Sequence, residues 1–262
     1  MLVRFEVENF KNFENKMILD LSKTKGYEFK ENLIKDGIVR SGVIFGKNAA
    51  GKSNIGYAIF DIVNHLTDKQ KNLSEIYPYS NLNSEIKKVS FNYLFQFDGK
   101  KVNYKYSKLD PEELYEETLI IDGNTVIEYD YLNSKGFCTL KGTENLNIII
   151  DNNKLSFVKY INNNSVLKND ETNNIFRKFI EFVDNMLLFY SLDYNRYIGY
   201  TVGSESISDA IVKRKKLEDF QHFLNRLDIS CELFSREVNG KNQIFVKYRN
   251  GEANFYSVAS AG

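Results

Sequence analysis

The sequence is poor in the residues that build disulfides, metal sites and linkers. Its 262 residues include two cysteines, two histidines and two prolines. Cys138 and Cys231 lie far apart and form no C-x-x-C pair, which argues against a disulfide framework or a zinc site. His65 and His222 are equally isolated, so we interpret each as a helix-surface or half-buried residue. Because no linker-like or low-complexity segment is present, we expect one large head and not two independent domains.

An excess of one charge and long apolar runs are missing as well. Lys and Arg total 35, as do Asp and Glu, so no overall positive field draws the chain to nucleic acid or membrane. No run of about 18 apolar residues is present to span a bilayer. The N-terminus, MLVRFEVENF, alternates apolar and charged residues and lacks the apolar core of a signal peptide. We therefore expect a soluble, cytoplasmic protein without a membrane partner.

Hydrophobic periodicity predicts a mixed α/β chain. Residues 3–7 alternate as in a half-buried strand, and residues 16–22 supply a partner strand. The short apolar run SGVIFG (41–46) predicts a buried parallel strand. An amphipathic helix follows, with one apolar face made by Ile55, Ala58, Ile59, Ile62 and Leu66.

Further along, two hairpins are predicted at Asp98-Gly99 and at Asp122-Gly123-Asn124, where alternating segments flank each turn. Helices are expected over 154–161, 174–189 and about 206–227, and strands return in the last 34 residues. The parts predicted are an N-terminal hairpin with loop strand and helix (1–72), an antiparallel β-rich part (73–150), a helical insertion or arm (151–228) and return strands (229–262).

The motif G-x-x-x-x-G-K-[ST] is present in full between the predicted strand and helix. It comprises Gly46, Lys47, Asn48, Ala49, Ala50, Gly51, Lys52 and Ser53, and Asn54 follows it. The glycines let the backbone curl so that N–H groups point at an anion, and the helix start adds its positive end. In such a loop Lys52 reaches the β- and γ-phosphates and Ser53 ligates Mg²⁺, so the motif predicts Mg-ATP binding.

The surroundings of the motif resemble a known family. FEVENFKNFENKMILDLS followed by VIFGKNAAGKSN is similar to the opening of SMC/RecF/OLD-type ABC ATPases, and most closely to AAA-labelled ATPases of bacterial abortive-infection and anti-phage systems. Asn9-Phe10-Lys11-Asn12-Phe13 matches the family's N-F-[KR]-x-F hairpin, whereas Ala49-Ala50 stands where Gly-Ser is common. The resemblance implies a P-loop NTPase fold of the ABC-type ATPase head.

The family's signature motif is matched by the last residues, SVASAG. The resemblance implies that Ser260 and Gly262 contact the γ-phosphate of ATP held by another subunit, which would make a homodimer or higher homo-oligomer. The family's Walker B strand and switch residue come later, so we expect the chain to be the front half to two-thirds of a head, without the catalytic acid. Gln96 is a candidate Mg²⁺-sensing glutamine, although a plain surface residue on a hairpin is the alternative.

The function expected is ATP hydrolysis in phage defence, with the ATP state controlling a separately encoded nuclease or toxin. Two alternatives stay open: a nucleotide-gated scaffold with little hydrolysis, and a RecF- or SMC-like DNA-repair ATPase that acts on DNA directly. The basic run 213–216 would favour contact with nucleic acid, but it also fits a solvated helix face, since Glu218 and Asp219 follow it.

Overall fold

The computed structural model describes residues 1–26, 31–48, 50–69, 76–150, 152–191, 196–198 and 207–258. The chain divides into two compact units, Met1–Leu188 and Phe189–Gly262. The dividing point lies within the expected helical arm (151–228), and the four parts expected from the sequence stay a prediction.

The first unit is built on one large antiparallel sheet. Its elements, in chain order, are β1 (Leu2–Glu8), β2 (Met17–Asp20), a short 3-10 helix (Glu31–Leu33), β3 (Ile34–Lys35), β4 (Ile38–Val39), α1 (Lys52–Leu66), β5 (Val89–Phe97), β6 (Lys100–Lys108), β7 (Leu114–Ile121), β8 (Asn124–Asp130), β9 (Lys135–Cys138), α2 (Phe157–Asn164) and α3 (Glu171–Asp184). Seven strands form the sheet in the order β2-β1-β5-β6-β7-β8-β9. Each neighbouring pair is antiparallel. The sequence-based assignment to a mixed α/β class is confirmed at this level.

The two predicted hairpins are present, and their turns explain why. Asp98 and Gly99 join β5 to β6 with φ values of 49° and 78°, and Asp122 and Gly123 join β7 to β8 with 50° and 84°. Left-handed backbone at both central positions matches the right-handed twist of the flanking strands. Alternation along these strands places an aromatic set on one face, and its fully buried members include Phe5, Phe91, Tyr93, Phe95, Tyr104 and Tyr106.

Helix α3 covers part of this aromatic face. The sequence predicts a helix over 174–189, and the apolar face of this helix, with Phe176, Phe179 and Val183, is buried. The Phe179 ring lies 5.5 Å from that of Phe95. The helix begins earlier than predicted because the Asp170 carboxylate accepts a hydrogen bond from the Asn173 N–H and caps it.

The predicted buried strand at 41–46 is wrong. Residues 40–47 have no regular structure, and Val43, Ile44 and Phe45 are 76%, 48% and 89% exposed. A parallel strand buried on both faces needs strands on either side. Every strand pairing in the seven-stranded sheet is antiparallel, and β1 already lies between β2 and β5. The apolar run therefore has no neighbouring strand there.

The second unit begins within β10 (Leu188–Ser191) and continues with β11 (Arg196–Ile198), α4 (Ile207–Lys213), α5 (Leu217–Arg226), β12 (Glu232–Val238), β13 (Lys241–Tyr248), β14 (Gly251–Asn254) and α6 (Phe255–Val258). Strands β12, β13 and β14 form an antiparallel sheet, as the sequence predicts for the last residues. Its small core contains Leu224 of α5 together with Leu233, Ile244 and Val246 of the sheet.

Among the described residues, no helix has the length and apolar character needed to cross a lipid bilayer.

Polar side chains, as well as apolar ones, attach α1 to the large sheet. The predicted apolar positions Ala58, Ile62 and Leu66 are buried, but so are Asp61 and His65. The expectation that His65 lies on the surface or half-buried is therefore wrong. The Tyr104 hydroxyl lies 2.8 Å from His65 Nε2 and gives the ring a polar partner inside the core. A buried imidazole with a hydrogen-bond partner is tolerated where a lone one is not.

Burial makes His65 sensitive to pH. Desolvation, with the nearby Lys108 ammonium as a second cause, lowers the pKa of His65 well below its ordinary value of 6.5. The unfolded chain therefore binds a proton below pH 6.5 that the folded chain excludes. Stability from this group is complete above pH 6.5 and is lost as the pH falls below it.

We expect the free energy of unfolding of the wild type to fall more steeply below pH 6.5 than that of His65→Gln, which keeps a polar partner for Tyr104. The difference in slope should approach about 1.4 kcal/mol per pH unit, the value for one proton. Urea unfolding at several pH values between 5 and 8 measures it. The exposed His222 provides the control, since His222→Gln should follow the wild type. Parallel curves for wild type and His65→Gln would contradict this account.

Candidate functional site

The phosphate-loop motif lies at the start of α1, where the backbone takes a conformation suited to glycine. Gly51 precedes the helix with φ 91° and ψ 13°, in the left-handed region. A Cβ on Gly51 would lie 2.2 Å from Nδ2 of Asn12, which comes from the turn between β1 and β2. Two independent constraints, backbone conformation and the neighbouring amide, therefore require glycine at this position.

Lys52 closes the loop on itself. Its ammonium donates hydrogen bonds of 2.8 Å to the carbonyl oxygens of Gly46 and Lys47. These bonds join the helix start to the beginning of the motif, and the Ala50 N–H donates to the Lys47 carbonyl across the turn. Two of the three N–H donors of the ammonium are used in this way. The Lys52 ammonium thus lies against the carbonyl oxygens at the beginning of the motif and keeps the loop compact.

The first turn of α1 is suited to an anion. Its N-terminal end receives no hydrogen bond from a capping side chain and contains no acidic residue. The N–H groups of a helix start without a cap carry partial positive charge and favour a negative partner. Ser53 lies exposed in this same turn. Helix start, ammonium and hydroxyl therefore occupy one end of one helix.

Asn12 braces the loop from the β1–β2 turn. Its Oδ1 accepts a 2.7 Å hydrogen bond from Asn54 Nδ2, and its own Nδ2 donates to the Ala50 carbonyl at 3.4 Å. The turn is tight, because Phe10 and Phe13 exchange backbone hydrogen bonds of 3.0 and 2.7 Å. The family-like stretch at 9–13 was noted in the sequence for its resemblance, but no role in the site could be read from it.

A shallow cavity of about 440 Å³ lies beside the loop. Its walls include Lys11, Asn12, Asn54, Asn81, Leu82 and Asn83. Leu82 is 81% exposed, and partial burial lowers the pKa of the Lys11 ammonium. Side-chain amides with an apolar surface are suited to a planar, hydrogen-bonding group such as a nucleobase. Asn81 and Asn83 gave no sequence signal, because only the fold brings residues 78–83 next to the loop.

The remaining residues predicted for the site fall into two groups. Ala49, Ser260 and Gly262 lie outside the described residues. The structure does not bring Gln96 to the loop. Gln96 pairs with Met1 through backbone hydrogen bonds, at the end of β1 opposite to Asn12, and β1 spans about 20 Å at roughly 3.3 Å per residue. It also alternates with Phe95 and so lies on the face of β5 turned away from α1.

A metal at this site would have few protein ligands. Among the described parts of the chain, no group of three His, Cys, Asp or Glu side chains could hold an ion. The hard cation Mg²⁺ is often held by one or two protein oxygens together with phosphate oxygens and water. The Ser53 hydroxyl lies at a helix start whose N–H groups favour an anion, which fits that manner of binding.

The basic run 213–216 begins with the last residue of α4 and ends just before α5, and two of its residues form ion pairs. Lys213 and Lys216 form ion pairs of 2.8 and 2.7 Å with Asp209 and Asp219. The hydrogen bond from Lys213, with one from Asn242, lowers the pKa of Asp209 to about 2. This pairing favours the solvated-helix interpretation over a phosphate contact.

We expect Gly51→Ala to lower the free energy of unfolding by about 1–3 kcal/mol, because strained backbone and a steric contact with Asn12 add. Asn12→Ala removes the contact, so Gly51→Ala should be less damaging in that background, a coupling visible in a double-mutant cycle. Gly99→Ala is the control, since Gly99 is also left-handed but an added Cβ meets nothing within 4 Å. Strictly additive effects of the Gly51 and Asn12 changes would show that the contact is unimportant.

Comparison with protein-family models and with curated proteins finds no match for this chain. The loop and the residues around it therefore provide the structural basis for a function.

Proposed function

We propose that the chain binds Mg-ATP through residues 46–54 as an ATPase head of the ABC type. The observation that carries the proposal is the combination at the start of α1. A left-handed Gly51 leads directly into a helix start without a cap, with Lys52 and Ser53 in its first turn. The complete G-x-x-x-x-G-K-[ST] pattern supports the same conclusion from the sequence.

Each group has a specific role in this proposal. The N–H groups of the loop and of the first helical turn hold the phosphates, and the Lys52 ammonium leaves its carbonyl partners for the β- and γ-phosphate oxygens. Ser53 would hold Mg²⁺, which would supply positive charge beside the phosphates. The nucleoside lies toward the cavity of Asn12, Asn54 and Asn81, where amides meet the edge of the base.

Hydrolysis would be the attack of water on the γ-phosphorus, which breaks the bond to the β-phosphate oxygen and releases ADP, inorganic phosphate and a proton. Lys52 and the loop N–H groups would stabilise the charge that develops, and Mg²⁺ held by Ser53 would add positive charge there. The group that orients water is not assigned. By resemblance, Ser260 and Gly262 complete the site of a second subunit, and the ATP state controls a nuclease or toxin in phage defence.

The test measures binding of ATP with Mg²⁺ by calorimetry. Phosphate release is measured on the full-length protein, because the catalytic acid is expected outside these residues. Lys52→Ala should weaken binding roughly tenfold to a hundredfold, because charge-assisted hydrogen bonds to phosphate are lost. Ser53→Ala should abolish most of the Mg²⁺ dependence of binding. Lys135→Ala removes an exposed lysine from β9, at the far edge of the sheet, and should bind as the wild type does.

Binding without phosphate release by the full-length protein would favour the nucleotide-gated scaffold. No binding at millimolar Mg-ATP, or equal binding by wild type and Lys52→Ala, would overturn the proposal.

A further inference from the structure

Asp61 is a charged residue buried on the side of α1 that faces the sheet. It follows Lys52 by nine residues, which is two and a half helical turns and about 13.5 Å along the axis. The two side chains therefore project from opposite sides of the helix. Asp61 is 0% exposed. A helix core position of this kind is ordinarily apolar, so its carboxylate requires a reason.

Three donors from two different segments surround the Asp61 carboxylate. The Tyr106 hydroxyl and the Lys108 ammonium, both from β6, lie 2.8 Å from Oδ2. The Tyr79 hydroxyl donates to Oδ1 at 3.1 Å from the segment before β5. Nearby, Tyr93 of β5 donates at 2.8 Å to the carbonyl oxygen of Ala58, one turn earlier in α1. The helix is thus bonded to the sheet at fixed points along its axis.

This arrangement favours precision over stability. A buried ion pair often contributes no more stability than well-packed apolar side chains of the same volume, because both charges lose their hydration. Apolar burial is not directional, so it does not by itself select one rotation of a helix among those that bury similar area. Hydrogen bonds that reach one carboxylate from different directions do select one rotation and one position of the helix. The bonds to Asp61 therefore fix the rotation of α1 and its position along its axis.

Tyr79 extends this control to the other side of the loop. While its hydroxyl bonds to Asp61, its carbonyl oxygen accepts a 2.9 Å hydrogen bond from the Lys11 N–H. The amide of Asn81 donates at 2.7 Å to the Lys11 carbonyl. Lys11 directly precedes Asn12, the residue that abuts Gly51. Tyr79 thereby bonds both to α1, which follows the loop, and to the β1–β2 turn, which contacts the loop through Asn12.

We infer that Asp61, with Tyr79 and Tyr106, is a positioning residue that sets the placement of the phosphate loop relative to the β1–β2 turn. The inference rests on the proposed function for its effect on nucleotide, but the placement itself is measurable without ligand. Loss of the bonds lets α1 shift on the sheet, so that the first helical turn no longer aligns with Asn12.

The experiment removes two hydroxyls and leaves the packing nearly unchanged. In Tyr79→Phe/Tyr106→Phe, Asp61 keeps Lys108 as its charged partner, so the fold is retained. Hydrogen exchange without nucleotide should become faster in peptides covering 46–56, and the Kd for Mg-ATP should rise about tenfold, as expected for a small misplacement of a binding loop. Asp61→Asn/Lys108→Met, which removes both charges together, should give the same two results if it folds.

Tyr129→Phe is the matched control. Tyr129 is equally buried, and its hydroxyl bonds to the backbone N–H and carbonyl of Ile150, away from α1. It should lower thermal stability while leaving loop exchange and the Kd as in the wild type. Unchanged exchange at 46–56 in the Tyr79/Tyr106 variant would overturn the inference. Faster exchange in a protein whose wild type binds no Mg-ATP would instead overturn the proposed function and leave the positioning role standing.

Discussion

The ion pair between Asp61 and Lys108 is the contact on which the arrangement of the first unit depends. Both side chains are fully buried, with 2.8 Å between their charged atoms. Leaving either charge buried without the other would cost about 3–5 kcal/mol, a large share of the stability of a domain. Helix α1 therefore cannot move by one turn along β6 without losing that pairing. The register between helix and sheet is set by charge, and the aromatic packing around it follows.

A second buried carboxylate continues the same design on the next strand. Glu117 of β7 accepts hydrogen bonds from the Tyr104 hydroxyl, from Ser156 Oγ at 2.6 Å and from the Phe157 N–H at 2.8 Å. Ser156 caps α2, so this carboxylate fixes the start of that helix. Since Tyr104 also bonds to His65, the polar contacts form a continuous path from α1 through the sheet to α2. Such bonds give a helix that covers an aromatic face one defined position, which ring packing alone does not specify.

The elements that could be predicted from the sequence were those whose signals are local. The Asp-Gly turns carry their own backbone preference, and the α3 stripe has a clear helical period, so both were found. The run at 41–46 failed, because an apolar segment says nothing about whether strands exist on either side of it. The contact of Asn12 with the loop was not predicted, and the candidate Gln96 does not lie at the loop, for a related reason. Their distance from the loop depends on the register of β1 with β5, and that is a long-range property. The motif at 46–53 was recognisable, but its brace was not.

The self-bonded state of Lys52 bears on how readily an anion could enter. Two of the three ammonium N–H groups donate to the carbonyl oxygens of Gly46 and Lys47, and phosphate oxygens replace these neutral acceptors when the ammonium binds phosphate fully. The ammonium makes charge-assisted hydrogen bonds to either acceptor, but an anionic oxygen adds Coulomb attraction, so the exchange is favourable for the lysine. Gly46 and Lys47 are exposed, and their carbonyl groups can turn to water once released, which avoids the penalty of a buried acceptor without a donor. Before a ligand arrives, the bonds from Lys52 to the two carbonyl oxygens therefore hold the loop in shape, and they cost little to break. The rigidity of the loop comes from Gly51, from Asn12 and from the attachment of α1 to the sheet.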